Sequence, residues 1–590
     1  MVGDGRGQAG LLSASERPAS RGTRALVRRL GLLAVVGLAA TTSPGREAVA
    51  ETPAVVRPRL VLFVSVDQMR FDYLTRFAPL FEDGFKRILE EGAVFANARY
   101  RHSNCETGPG HSVLLSGRHA RDTGIVANSW YDRLRGKSIN VVEDPVVSPL
   151  PGPGRGASPA NLIAVTIGDL LKKASPASKV VGVSLKDRSA ILMAGRRADA
   201  AYWYEPKAGR FGSSTYYMAA LPSWLEAWNR EGKIDGLQGR EWTRLLPDEA
   251  LYRRHAGPDD VRGEWDNVDT VFPHRLRGAP PSEDFYEDVR RTPFADELTL
   301  EVALRAAEAH DLGTDEATDV FAVGLSATDP IGHTYGPDSQ EQMDQILRLD
   351  RVLGRLITAM EARTGPGRLL FGLSADHGVM PLVENLKAQG KDARRVHTDI
   401  LVNAVGQALA ARFPGAGDLI ADHDEGLFTL DLPAIARRGL TRAAVEKVIE
   451  EALLSTGLVE KVYTHARLLG ETPADDPQFP LFRASFFEPR SPHVIPRLRP
   501  FVYVDDKYSG GTGHGTAHDY DRHVPVVFLG AGIHPGRQEA EAGPEDIAPT
   551  LARLLGLEYR LETGQRVLAE ALVEPGGSTR STPVADEVQP

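Results

Sequence analysis

Six side chains in this chain are of the types that hold divalent ions: Asp67, Asp329, His333, Asp376, His377 and His514. Carboxylates mixed with imidazoles, and no sulfur, suit Zn²⁺ first and Mn²⁺ second. A thiolate site is excluded, because Cys105 is the one cysteine. Six protein ligands exceed what one tetrahedral zinc takes. Two ions about 3.5–4 Å apart would use them, and such a pair suits in-line displacement at phosphorus. An Asp-x-x-x-His spacing (Asp329, His333) is a weak signal by itself; adjacent Asp376-His377 is a better one. A nucleophile is offered by Asn104-Cys105-Glu106-Thr107-Gly108-Pro109-Gly110-His111, a turn feeding a helix. Thr107 would sit near that helix N-terminus, where free N–H groups and the dipole favour an anion. A neighbouring cation would lower its hydroxyl pKa. For a lone threonine, simple N-capping is the commoner role. Cys105 is the rival nucleophile, but hard ions favour an oxygen, and Cys105 reads as a small buried residue.

These residues need elements to position them. Leu60-Val61-Leu62-Phe63-Val64-Ser65-Val66 runs into Asp67. Val320-Phe321-Ala322-Val323-Gly324-Leu325-Ser326 precedes Asp329, and Leu369-Leu370-Phe371-Gly372-Leu373-Ser374 precedes Asp376. Val180-Val181-Gly182-Val183-Ser184 precedes Lys186 and Arg188. Short apolar runs bounded by polar residues read as strands buried on both faces. Open parallel sheets bind ligands beyond the carboxyl ends of their strands. One shared site, built from distant segments, is therefore expected. Two cations two residues apart at a strand end would point to one side and could clamp an anionic oxygen.

Around that site the chain reads as an α/β protein. Residues 51–190, 301–384 and 501–570 are expected to form the catalytic core, with a first crossover helix over 80–91, another helix beginning at 111 and a closing helix over 546–555. The main sheet is expected to resume at 501–504 and 524–529. Residues 191–300, rich in Trp, Tyr and Pro-Gly turns, read as a capping insertion. Residues 385–500 read as a small α+β insertion, with strands over 427–432 and 458–464 and a helix over 442–454. Met343, Ile346, Leu347, Leu353, Leu356, Ile357 and Met360 share one helical face. Gly, Ser, Pro and acids after about 571 predict a disordered tail, 571–590.

At the other end, Arg21, Arg24, Arg28 and Arg29 precede an apolar stretch from Leu30 to Ala40, then Ala48-Val49-Ala50. That pattern reads as a signal peptide over 1–50 cleaved after Ala50, too short to span a membrane. A periplasmic or secreted protein is expected. Sec and twin-arginine export are not distinguished by Arg28-Arg29. Formal charge over all 590 residues is −10. Residues 1–50 hold seven Arg and three acids, so the rest carries −14. Acidity of that degree argues against nucleic-acid polymers and anionic membranes as partners. It permits a small anion at a local cationic site.

The motifs together resemble the alkaline phosphatase superfamily, in particular its type I phosphodiesterase/nucleotide pyrophosphatase branch. Within it they are most similar to phosphate-irrepressible alkaline phosphatases of the PafA type. The residues that carry the resemblance are Val66-Asp67-Gln68-Met69-Arg70, Thr107-Gly108-Pro109-Gly110-His111, Gly124-Ile125-Val126-Ala127-Asn128-Ser129-Trp130, Lys186-Asp187-Arg188, Asp329-Pro330-Ile331-Gly332-His333, Ser374-Ala375-Asp376-His377-Gly378 and Gly513-His514-Gly515. They run in the family's order over roughly residues 58–560.

The resemblance implies a three-layer α/β/α sandwich with a mostly parallel sheet and capping insertions. It implies two zinc ions, one held by Asp329, His333 and His514, the other by Asp67, Asp376, His377 and the Thr107 oxygen. It implies attack by Thr107 through a phosphothreonine, with Asn128 donating to a phosphate oxygen. Lys186 and Arg188 would grip the extra anionic oxygen of a monoester, which makes an exported phosphomonoesterase the leading expectation; a monomer is expected, though the sequence does not fix the oligomeric state. A phosphodiesterase or nucleotide pyrophosphatase is the alternative. A sulfatase is disfavoured, since Cys105-Glu106-Thr107-Gly108 lacks Cys/Ser-x-Pro-x-Arg. A metal-stabilised binding protein is disfavoured by the retained nucleophile. His102, His111, His119, His518 and His523 read as packing or supporting residues, and 510–515 as a turn placing His514.

Overall fold

The structure, a computed structural model, describes residues 57–573 apart from 153, 266–268 and 507–509. The expected signal peptide and nearly all of the expected tail lie outside the described residues. Ten strands form the central sheet: β1 (Leu60–Val66), β2 (Ala93–Ala98), β3 (Pro149–Leu150), β4 (Val180–Ser184), β5 (Ala200–Glu205), β6 (Arg210–Ser214), β7 (Asp319–Leu325), β8 (Leu369–Ser374), β9 (Val526–Gly530) and β10 (Gly536–Ala542). Their order is β10-β2-β9-β8-β1-β7-β4-β5-β6-β3. The stretch β8-β1-β7-β4-β5 is parallel throughout. β9 runs antiparallel to both β8 and β2.

Alternation along β1 shows why these runs are continuously apolar. Leu60, Leu62, Val64 and Val66 enter one apolar cluster, while Val61 and Phe63 enter the other. Both faces of the sheet are therefore covered, as buried parallel strands require. One face packs under the helix α4 (Gln340–Thr364) and the helix Gly84–Glu91; the other packs under Ile547–Leu555 and Ile167–Ala174. Each fully buried aliphatic side chain adds about 1.5–3 kcal/mol. α4 starts at Ser339, whose hydroxyl accepts from Gln342 N at 3.0 Å, and stops at Gly365 with φ 84°. Its expected apolar face is wholly buried. At Gly84 a Cβ would lie 2.5 Å from Leu353 Cβ, so only glycine lets these two helices approach so closely.

Registers align the strand ends. Val66 pairs with Leu325, Ser65 with Ser374 and Gly324 with Ser184. Three helices start just beyond this rim or beside it: α1 (Thr107–Leu114), α2 (Asp187–Ala194) and α3 (Thr328–Tyr335).

Residues 385–500 contain an antiparallel sheet ordered Ile420–Asp424, Leu427–Leu430, Val494–Leu498, Val459–Thr464. Helices Asp399–Arg412 and Arg442–Ser455 cover it, and Leu401, Phe428, Val445, Ile449 and Val462 give it an apolar core of its own.

Four expectations need correction. Val502–Asp505 is not a strand of the central sheet; it pairs with Arg394–His397. Only Val502 and Val504 of that strand face the core of the 385–500 region, while Tyr503 and Asp505 are half-buried. Alternation there marks a strand buried on one face. The stretch 191–300, expected to be a capping insertion throughout, contributes β5 and β6 to the central sheet, so Tyr202, Trp203 and Tyr204 are buried sheet residues. The first crossover helix begins at Gly84, because Asp83 and Gly84 break the run at 80. Ala571 and Leu572 are ordered: Ala571 is fully buried, and Leu572 bridges Ile533.

Candidate active site

Asp67 follows β1 directly, and Asp376 lies two residues beyond β8. Asp329 and His333 are one step further from their strand than expected. They occupy successive turns of α3 on one face, with His333 Nε2 3.2 Å from Asp329 Oδ1. His514 arrives on the glycine-rich turn after Val502–Asp505, with Nε2 3.6 Å from the same oxygen. His377 Nε2 lies 3.3 Å from Asp376 Oδ2 and 3.7 Å from Asp67 Oδ1. All six candidate ligands thus converge beyond the rim of the sheet.

The histidines are oriented alike. His333 Nδ1 lies 2.7 Å from Thr512 O, His377 Nδ1 3.0 Å from Gly378 O and His514 Nδ1 2.8 Å from Cys105 O. A carbonyl can only accept, so each Nδ1 carries the proton and each Nε2 faces the carboxylates. The His377 and His514 rings stack with centroids 3.5 Å apart.

Three buried carboxylates this close demand positive charge. Burial, reinforced by Asp376, pushes Asp67 above the ordinary carboxylate range despite Lys186. Burial also opposes ionisation of Asp329, but Lys186 and His333 outweigh it and hold that carboxyl well below its ordinary value. Asp376 is lowered in the same way by His111. Burial, then His514, depresses His377. Burial acts against a charged His514 too, yet Asp329 lifts it to about 9.

Neither Asp67 oxygen, nor Asp376 Oδ2, accepts an aligned hydrogen bond, although all three atoms are buried. An unsatisfied buried carboxylate oxygen is costly. Asp67, Asp376 and His377 present ligand atoms within 4.8 Å of one another, as do Asp329, His377 and His514. Oxygen and imidazole donors converging on one place, with the Asp67 oxygens and Asp376 Oδ2 short of aligned hydrogen bonds, fit divalent metal ions.

Thr107 is the first residue of α1, after Glu106 in an extended conformation. Its hydroxyl therefore caps nothing, and the N-cap reading fails. Oγ1 lies 3.5 Å from His377 Nε2, 3.5 Å from Lys186 Nζ and 3.4 Å from Arg188 Nη2. Lys186 and Arg188 reach it from the start of α2, where Lys186 is the N-cap and Arg188 the second helical residue. Their convergence comes from a helix turn, not from strand pleating. Lys186 Nζ also sits 2.8 Å from Asp67 Oδ2 and 2.6 Å from Asp329 Oδ2.

Asn128 Oδ1 accepts from Gly108 N at 2.8 Å, which leaves its Nδ2 as the free donor. Glu106 holds this arrangement, accepting from Asn128 N at 2.7 Å and Asn104 Nδ2 at 3.1 Å. Sequence reasoning missed Glu106; its place just before Thr107 was the available signal. A cleft of about 640 Å³ opens beside Asn128, His333 and His514, walled by Trp130, Tyr131 and the loop Asp422–Glu425.

Cys105 is buried, its thiol pushed well up by burial, and serves the site through its carbonyl. His111 Nδ1 lies 3.1 Å from Asp376 Oδ2 and 2.9 Å from Thr107 O, tying one carboxylate to α1. His102 stacks on Tyr100 at 4.5 Å, and His119 meets His102 edge-on. His518 and His523 bond backbone carbonyls.

The family model for type I phosphodiesterase / nucleotide pyrophosphatase matches residues 61–521. The chain belongs to that family. Within it, the chain is 31% identical over 556 residues to the alkaline phosphatase PafA of Elizabethkingia meningoseptica, covering 90% of this chain and 96% of that one. It is 33% identical over 515 residues to a Myroides odoratus protein named calcium-transporting ATPase, covering 85% and 92%. The crystal structure of wild-type alkaline phosphatase PafA superposes with a TM-score of 0.80 at 31% identity, over 88% of this chain and all of that one. The α/β fold read from the strand runs is thus a family fold. Among the described residues, no helix is long and apolar enough to cross a membrane.

Proposed function

We propose that this phosphoester hydrolase is an exported alkaline phosphatase that hydrolyses monoesters through a phosphothreonine at Thr107. One observation carries the reading: Lys186 and Arg188 both reach the hydroxyl of Thr107. A diester has one anionic charge fewer at phosphorus. Two cations beside the attacking oxygen favour the substrate with more charge there.

Asp67, Asp376 and His377 would hold one zinc ion, with Thr107 Oγ1 beside them. Asp329, His333 and His514 would hold the other. Bound there, two zinc ions would neutralise charge developing on the entering and leaving oxygens.

The chain's own residues supply the rest. α1 presents Thr107 Oγ1 to Lys186, Arg188 and His377. A bond forms from Thr107 Oγ1 to phosphorus as the bond to the ester oxygen breaks; the hydroxyl gives up its proton and the leaving oxygen takes one up, so the alcohol is released. Water then attacks phosphorus, frees inorganic phosphate and restores the hydroxyl. Asn128, held by Gly108 and Glu106, offers Nδ2 to a non-bridging oxygen. Lys186 and Arg188 balance the remaining charge, in the manner of preorganised electrostatic stabilisation.

The test is metal content by elemental analysis, measured with the rate ratio for an aryl monoester and its methyl diester. Two zinc ions per chain and a monoester preference are expected. A diester preference would support the phosphodiesterase alternative and refute this one.

A further inference from the structure

Gln68 belongs to the motif after β1, yet no step above uses it. It is fully buried and, with Asp311, Glu425 and Phe501, is one of the non-glycine residues with positive φ among the described residues, at φ 62°. Such a conformation costs free energy and persists when the surroundings over-determine it. Two hydrogen bonds do so here. Gln68 N donates to Asp376 Oδ1 at 3.0 Å, and Gln68 Nε2 donates to Asp329 Oδ1 at 2.9 Å.

The topology explains how one residue can reach both carboxylates. β1 lies between β8, which leads to Asp376, and β7, which leads to Asp329. Asp67 N still pairs with Leu325 O of β7 at 3.0 Å. One residue later the left-handed turn takes the N–H across to the β8 side, while the side chain reaches back to α3. The seat is built to shape: a Cβ at Gly332 would lie 1.9 Å from Gln68 Oε1.

We infer that Gln68 is a positioning residue that braces the two halves of the metal centre against each other. Its two donations fix the rotation of carboxylates carried by different strands. Asp376 Oδ1 accepts from Gln68 N and also from His377 N, at 3.0 Å. Asp376 is thereby oriented with Oδ2 toward His377 and His111. Asp329 Oδ1 is steadied where it faces His333 and His514. Groups that orient metal ligands typically contribute about 10–100-fold in metal affinity.

This inference rests on the two-metal reading, so the experiment separates the two. Zinc affinity and stoichiometry are measured by chelator competition on the full chain, for wild type, Gln68→Glu and Gln68→Met. Gln68→Glu replaces the donor with an acceptor facing Asp329. Gln68→Met keeps the length and the backbone donation but removes the side-chain donor. Zinc affinity is expected to fall about 10–100-fold at one site first, while the metal-free Gln68→Met chain melts close to wild type. Zinc binding by both variants within about twofold of wild type, against a wild type that takes two ions, overturns the brace alone. A wild type that takes up no divalent ion overturns the metal reading and the brace with it. A Gln68→Met chain that does not fold overturns the positioning role in favour of a purely structural one.

Discussion

Replacing Lys186 by Ala tests the substrate assignment most directly. Nζ lies 3.5 Å from Thr107 Oγ1 and is nearly inaccessible to solvent, so its field is little screened. A phosphoryl group bonding to that hydroxyl would place its outer oxygens about 5 Å from Nζ or nearer. A monoester dianion has one more unit of charge there than a diester. At an effective dielectric of about 20, a unit pair at about 5 Å is worth about 3 kcal/mol. That is about 150-fold in rate. Lys186 also neutralises Asp67 and Asp329, so its loss will harm turnover of every substrate. That shared cost cancels in a ratio. The assay is therefore kcat/KM for an aryl phosphate against its methyl diester, in wild type and Lys186→Ala, at fixed zinc. The monoester/diester ratio is expected to fall by about 150-fold. A parallel fall, with the ratio changed less than about threefold, would refute the argument that Lys186 reads the extra charge.

Thr107→Ala is expected to abolish turnover, and acid-quenched wild type should yield a phosphorylated peptide containing Thr107; a Thr107→Ala enzyme with near-normal rates would sink the covalent route. Asn128→Ala should lower kcat/KM by about 100-fold through loss of one oriented donor, and an unchanged rate would show that Nδ2 does not touch phosphate. Chelation should remove activity and lower the melting temperature, both restored by zinc, because ions bound only to the native state stabilise it; insensitivity of both to chelator counts against the centre. His274 offers a pH prediction remote from the chemistry. Burial pulls its pKa down, but hydrogen bonds to Asp269 and Glu341 win and lift it from 6.5 to about 9. A raised folded pKa means stabilisation that is full below pH 6.5 and lost as pH rises through about 9. The melting-temperature gap between wild type and His274→Gln should therefore shrink from pH 7 to pH 10, and a gap independent of pH would contradict the assignment.

Much of the site was legible because buried strands announce themselves as apolar runs and acids at their ends stand out. Asp67 and Asp376 were placed by that logic alone. Asp329 and His333 were found for a slightly wrong reason, since the chain turns into α3 before reaching them. Lys186 and Arg188 likewise meet Thr107 through the first turn of a helix. Glu106 and Gln68 escaped notice because their work is done on other side chains and on backbone N–H groups. For Glu106 only its place before Thr107 hinted at that role, and for Gln68 no residue type or spacing does. The strand Val502–Asp505 was misassigned because half-burial and full burial look alike over four residues.

The central place of β1 also governs when the site can exist. The candidate site around its end draws on residues 67, 107, 186, 329, 376 and 514, and β9, which joins β8 to β2, begins only at Val526. A chain emerging from its N-terminus has made Thr107, Lys186 and Arg188, the proposed nucleophile and clamp, long before the candidate ligand His514 appears. Partial chains that stop short of His514 lack one candidate imidazole and leave the sheet without β9. The site as proposed can therefore be complete only once the chain has reached His514. That also makes hydrolysis of phosphate esters a strict readout of complete folding.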